Sequence, residues 1–224
     1  MASIARVHAP TANRALLITS LAVPLTGWTV HAVSLHRRLA AARRDPLTGL
    51  HGRDIYTSRA RQTIDRYGAS AMTVLVDVDH FKQINDIHGH GAGDRVLTVT
   101  AQRLAAWAGS RGAVGRLGGD EFAATVRIGP ARRRLRLDRL AAVLAQPVDI
   151  GDRVVDVAVS IGAATPDTIG TTNLSQLQRA ADAAMYAGKH TGRAVLADRS
   201  HTAVPSINGR RAGRSGTHAL GAAA

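Results

Sequence analysis

From residue 45 onward, apolar positions alternate between dense short runs and helical stripes. Residues 71–77 (AMTVLVD) form a compact apolar, β-branched run, the pattern of a buried central strand. Over 95–107, Leu97, Ala101 and Leu104 recur at helical spacing and predict an amphipathic helix. Two apolar segments within 113–126 flank Gly118-Gly119, which predicts a hairpin with the glycines at its turn. A further helix is expected over 132–144, where Leu137, Leu140, Ala141 and Leu144 share a stripe. Alternation over 154–161 (VVDVAVSI) predicts a strand ending in Gly162. Residues 173–189 predict a helix with Leu174, Leu177, Ala181, Ala184 and Met185 towards the core, closed by Gly192. An edge strand is expected at 194–196. In order, these elements predict an α+β domain with a ferredoxin-like β-α-β-β-α-β core, an antiparallel central sheet flanked by helices.

The amino-terminal third reads differently. Residues 15–35 contain no Asp, Glu, Lys or Arg, which is about the length a helix needs to cross a ~30 Å hydrocarbon layer. Three readings are open: a membrane anchor, a signal peptide after Arg6 and Arg14, or an amphipathic helix of a soluble protein. Arg37, Arg38, Arg43 and Arg44 follow at once and favour the anchor under the positive-inside rule. The expectation is therefore a segment 1–14, an N-terminal hydrophobic transmembrane helix over 15–35 and a basic connector over 36–44. A globular domain over 45–198 and a disordered basic tail over 199–224 complete the chain. The protein is expected in the inner or plasma membrane as a single-pass protein with its domain in the cytoplasm, the alternative being a soluble cytoplasmic protein.

Composition narrows the chemistry. The 224 residues include no cysteine, so any metal must be held by oxygen or imidazole ligands. The formal charge is +13, which suits an anionic partner. The arginine clusters at 132–139 and 199–214 are not interleaved with aromatics that could stack on bases, and no nucleic-acid partner is expected.

Two constellations carry candidate chemistry. Asp77-Val78-Asp79 closes the buried strand, and carboxylates leaving an apolar strand are costly unless neutralised. Side chains at i and i+2 share a face, so both acids can address one hard cation. Gly118-Gly119-Asp120-Glu121-Phe122 forms the hairpin tip, where glycines let backbone approach a ligand and two acids follow. If the hairpin lies beside the strand, Asp120 and Glu121 come close to Asp77, an arrangement able to hold metals on a triphosphate.

The second constellation resembles the signature of the GGDEF family of diguanylate cyclases. The resemblance covers residues 45 to about 196 through five ordered blocks: DPLTGLHGR (45–53), DVDHFKQINDIHGHGAGD (77–94), GRLGGDEF (115–122), VSIGAA (159–164) and ADAAMYAGKHTGR (181–193). It implies a palm-type nucleotide cyclase core. It further implies that two GTP molecules are condensed to cyclic di-GMP and two pyrophosphates, by 3′-OH attack across a homodimer of half-sites. The alternative is a catalytically silent module that binds GTP or cyclic di-GMP as a regulator.

Position by position, the resemblance implies metal ligation (Mg²⁺ or Mn²⁺) by Asp77, the Val78 carbonyl, Asp120 and Glu121, with Asp120 and Glu121 catalytic. Substrate contacts fall on Lys82, Asn85, Asp94, Gly118, Gly119, Lys189 and Arg193. Asn85 and Asp94 would read guanine, since a carboxylate accepts from N1–H and the 2-amino group and adenine offers neither. Lys189 and Arg193, four apart, are expected on one helix face gripping the triphosphate. The RxxD product-inhibition motif of many members is absent; its positions are Gly109-Ser110-Arg111-Gly112.

Overall fold

The computed structural model describes residues 44–189 and 193–202, together with Trp28 and His31. The chain divides into two compact units, Met1–Arg44 and Asp45–Ala224. In the second unit, helix α1 (Arg53–Tyr67) precedes strand β1 (Ala71–Val78). Helices α2 (Phe81–His88) and α3 (His90–Ala108) then lead into the hairpin β2 (Ala113–Gly118) and β3 (Glu121–Arg127). Helix α4 (Arg133–Leu144) is followed by a small hairpin, β4 (Val148–Asp149) and β5 (Val154–Val155), and by β6 (Val159–Ala164). A single helical turn α5 (Pro166–Ile169), the long helix α6 (Leu174–Gly188) and β7 (Val195–Leu196) complete the domain.

The main sheet has the order β2-β3-β1-β6-β7, antiparallel except for the parallel β6–β7 pair. β1 is central and buried at all eight positions. Its side chains alternate between two cores, as the strand period of two requires. Met72, Val74, Val76 and Val78 face α3 and α4, against Val96, Leu97, Leu104, Leu137 and Leu140. Ala71 and Leu75 face α1 and α6, against Tyr56, Ile64, Leu177 and Ala181. Asp77 therefore points to the α1/α6 side, from a strand whose other residues on that face are apolar or small.

Small residues let α6 lie close on β6. A Cβ added to Gly162 would stand 1.9 Å from the Ala181 carbonyl oxygen and 2.5 Å from the Met185 amide. This contact brings the carboxyl end of α6 over the end of β1.

Several expectations need correction. The strand over 154–161 is two strands: Val154–Val155 pairs with Val148–Asp149 in its own hairpin, and β6 begins at Val159. Gly162 does not end β6 but lies inside it, where only a residue without a side chain fits beneath α6. The tail begins with an ordered 3₁₀ turn, Arg199–Thr202, because Asp198 accepts from the Ser200 amide and hydroxyl. Residues 203–224 lie outside the described residues, as does the connector up to Ala42 and Arg43.

The single-pass membrane location is also corrected. Among the described residues no helix is long and apolar enough to cross a membrane. The run 15–35 is diluted by Thr19, Ser20, Pro24, Thr26, Thr29, His31 and Ser34, each of which lowers its preference for hydrocarbon. Apart from Trp28 and His31 it lies outside the described residues. Neither a membrane placement nor an N-terminal hydrophobic helix is retained.

Candidate active site

The β2–β3 turn is held by arginines reaching back to its backbone. Arg116 donates from Nε and Nη2 to the Gly119 carbonyl at 2.9 and 2.7 Å, and from Nη1 to both Asp45 oxygens at 3.0 and 3.1 Å. Arg53 donates to the Leu117 carbonyl at 3.2 and 2.8 Å. Asp45 in turn accepts from the amide and hydroxyl of Thr48. The first sequence block thus buttresses the hairpin tip, a role that sequence reading did not assign. The signal available was an unpaired acid and arginine at the two ends of 45–53, with Arg116 two residues before the glycines.

Burial works to raise the Asp45 carboxyl, but bonds from Thr48 and Arg116 outweigh it and hold the group below its ordinary value of 3.8. A depressed carboxyl contributes stability that is complete above the unfolded value and lost as pH falls through the folded one. Thermal stability is therefore expected to fall below pH 3.8 in wild type. In Arg116→Met the acid limb should flatten, and stability at neutral pH should drop by about 2 kcal/mol, the scale of a charge-assisted bond lost. Melting curves across the acid range measure both; an unchanged acid limb in the variant would contradict the assignment.

The turn itself needs left-handed backbone: Gly118 has φ 142° and Gly119 φ 57°. It delivers Glu121 directly opposite Asp77 in the β1–β3 ladder, so both carboxylates share the α1/α6 face. Asp120 is joined to the same point through its carbonyl, which accepts from the Val78 amide at 3.2 Å. Asp77 is only 2% exposed. Two acids directly opposite on one face, one of them buried, repel unless a cation intervenes.

A cation, Lys189, stands against the buried member of the pair. Its ammonium lies 3.3 Å from Asp77 Oδ1 and 3.4 Å from Asp79 Oδ1. Among the described residues no three His, Cys, Asp or Glu side chains are arranged as a metal cluster. The donor set still fits a hard divalent ion: carboxylate oxygens on one face, at the open end of a strand.

Other expected residues are distributed around this centre. Asn85 sits on α2 and Asp94 on α3, and the two helices pack together. A Cβ on Gly93 would stand 1.9 Å from Asn85 Oδ1, so the Asn85 amide lies over the backbone next to Asp94. Lys82 is exposed on α2. Arg193 is exposed and lines an open concavity with Arg134 and β7. Lys189 and Arg193 do not share a helix face, because α6 ends at Gly188 and the Arg193 carbonyl stands 2.8 Å from where a Gly188 Cβ would be. His88 and His90 end and begin helices on either side of Gly89.

Comparison with known proteins gives a consistent result. Residues 42–195 match the family model described as diguanylate cyclase, GGDEF domain. The chain is 47% identical over 171 residues to an uncharacterized 19.3 kDa protein of the repSA 5′ region of Streptomyces ambofaciens, covering 76% of this chain and 91% of that one. It is 34% identical to diguanylate cyclase DgcN of Escherichia coli, covering 79% of this chain and 44% of the relative. Among solved structures, the GGDEF domain of TpbB (YfiN) from Pseudomonas aeruginosa superposes with a TM-score of 0.63 at 32% identity, over 70% of this chain and 96% of that one. The coiled coil and GGDEF domain of DgcB from Caulobacter crescentus, in complex with c-di-GMP, gives 0.65 at 26% identity, over 80% and 100%. The chain spans less than half the length of DgcN.

Proposed function

Because this chain belongs to the GGDEF family of diguanylate cyclases, we propose that it condenses two GTP molecules into cyclic di-GMP, releasing two pyrophosphates. The observation that carries this reading is the cross-strand pair of Asp77 and Glu121, with the Lys189 ammonium against the buried member. Such a pair is a poor structural device, since like charges directly opposite destabilise a sheet. It is a good one for gathering cations around a polyphosphate.

Asp77, the Val78 carbonyl, Asp120 and Glu121 would hold Mg²⁺ or Mn²⁺, which supplies charge neutralisation at the triphosphate and Lewis acidity at the α-phosphate. The chain's own residues orient the substrate. Asn85 on α2 and Asp94 on α3 read the guanine edge. Gly118 and Gly119 leave backbone open to the phosphates, and Lys189 meets their charge, with Lys82 and Arg193 as further cations. The 3′-hydroxyl of one nucleotide attacks the α-phosphate of the other, forming a 3′–5′ phosphodiester and expelling pyrophosphate. The single proton of each attacking hydroxyl passes to one carboxylate, that of Asp120 or that of Glu121. One domain binds one GTP, so ring closure requires two copies facing each other, and a homodimer is part of the proposal.

Incubating the full chain with GTP and Mg²⁺ tests it, with the nucleotides separated and identified by mass. Cyclic di-GMP and pyrophosphate in a 1:2 ratio are expected, at a specific activity that rises with protein concentration as dimers form. Tight GTP or cyclic di-GMP binding without turnover would instead assign the chain as a silent regulatory module.

A further inference from the structure

Asp79 has no part in the chemistry just described, yet it is firmly fixed. Both its oxygens accept from the Ser160 hydroxyl, at 2.8 and 3.0 Å, and its amide donates to the Ala158 carbonyl at 2.9 Å. Ser160 is 4% exposed and stands opposite Asp77 in the β1–β6 ladder. Asp79 Oδ1 is 3.4 Å from the Lys189 ammonium, which also reaches Asp77. We propose that Asp79, clamped by Ser160, is a positioning residue that keeps Lys189 at the cleft when a divalent cation takes over Asp77.

A divalent ion and the Lys189 ammonium compete for Asp77. The divalent ion, once bound to Asp77, repels the ammonium at close range and draws off the carboxylate's charge, so it weakens the hold of Asp77 on Lys189. A lysine anchored by Asp77 alone would then swing away on its flexible stem, regaining its rotamer entropy. The second anchor removes that route. Asp79 extends the face of Asp77 by two residues, so the ammonium can move from between the two acids onto Asp79 with little displacement. It stays where a triphosphate would meet it; this functional half of the proposal rests on the reading of the site as a GTP site. Composition agrees: of the 29 basic residues only two are lysines, Lys82 and Lys189. A compact point charge suits a slot between two carboxylates from neighbouring positions, whereas the arginine fork suits one carboxylate held bidentately.

The two lysines make the test clean. In protein carrying ¹³C-labelled lysine, only two ε-methylene signals arise, and Lys82 serves as the exposed internal reference. Lys189 should be motionally restricted in wild type, with and without added Mg²⁺. In Asp79→Asn and in Ser160→Ala it should approach the mobility of Lys82 once Mg²⁺ is present, while the amide spectrum shows the fold intact. Restricted Lys189 in Asp79→Asn with Mg²⁺, or mobile Lys189 in wild type, overturns the proposal. In turnover, Asp79→Asn should raise KM for GTP about tenfold, as expected for a misdirected charged contact. The double variant with Lys189→Met should be no worse than Lys189→Met alone, whereas an Asp79 that merely supported the fold would add its own loss. If wild type makes no cyclic di-GMP, the functional reading falls while the relaxation data still decide whether Asp79 holds Lys189.

Discussion

Asp120→Asn is expected to cut cyclic di-GMP formation by at least about 10²–10³-fold, the loss typical of removing one preorganised electrostatic group from an active site. The substitution keeps the size of the side chain and leaves the backbone untouched. The Asp120 carbonyl still accepts from the Val78 amide, and Arg116 still holds the Gly119 carbonyl one residue earlier. What changes is one negative charge beside the Asp77–Glu121 pair. Removing like charge there relieves repulsion, so the melting temperature should stay level or rise slightly. Activity and stability are thus expected to move independently. Measured turnover of more than a tenth of wild type would show that the acid at 120 is a turn residue and not part of the chemistry.

The second large effect concerns packing. Gly162→Ala places a methyl group 1.9 Å from the Ala181 carbonyl oxygen, 2.5 Å from the Met185 amide and 2.7 Å from Met185 Cβ. Two of these three are helix backbone, which cannot turn aside as the end of a flexible side chain would. Helix α6 must lift from β6 as a unit, and overpacking of this kind costs roughly 3 kcal/mol. For a domain of this size that corresponds to a fall in melting temperature of about 6–12 °C. Because α6 carries Lys189 at its end, the ammonium should also leave the acids, so the folded fraction should lose activity beyond what unfolding explains. Gly91→Ala is the control. Gly91 lies in α3 with nothing within 4 Å of an added Cβ and no positive φ, so alanine should be neutral or stabilising by up to about 1 kcal/mol. Thermal melts of both variants give the comparison, and equal stability of the two would contradict the packing account.

Much of the fold was legible in the chain because its strongest elements have local causes. The β-branched apolar run at 71–77 read as a buried central strand, and it is the central one. The stripe Leu137, Leu140 and Leu144 is fully buried on α4, and Leu177, Ala181 and Ala184 are buried on α6. The hairpin around Gly118-Gly119 was announced by its glycines. Where local signals were weak, reading stopped short. Helix α1 carries charged residues at many positions and went unassigned, and α2 and α3 are separate helices broken at Gly89 inside a stretch read mainly for its motif. The alternation over 154–161 was read as one strand, but sequence alternation does not say which partner each half will find; the first half pairs with β4 and the second with β1.

By itself the sequence determined the family, the order of the main elements and the identity of the acids at 77, 120 and 121, because spacing along a strand and a turn is a short-range property. Only the tertiary structure decided which cation meets Asp77 and what steadies the hairpin tip. Lys189 meets Asp77 across 112 positions of chain, Ser160 meets Asp79 across 81, and Arg116 meets Asp45 across 71. Such pairings depend on how closely α6 settles on β6 and how the sheet orders its strands, and no local pattern encodes a distance between residues that only packing brings together.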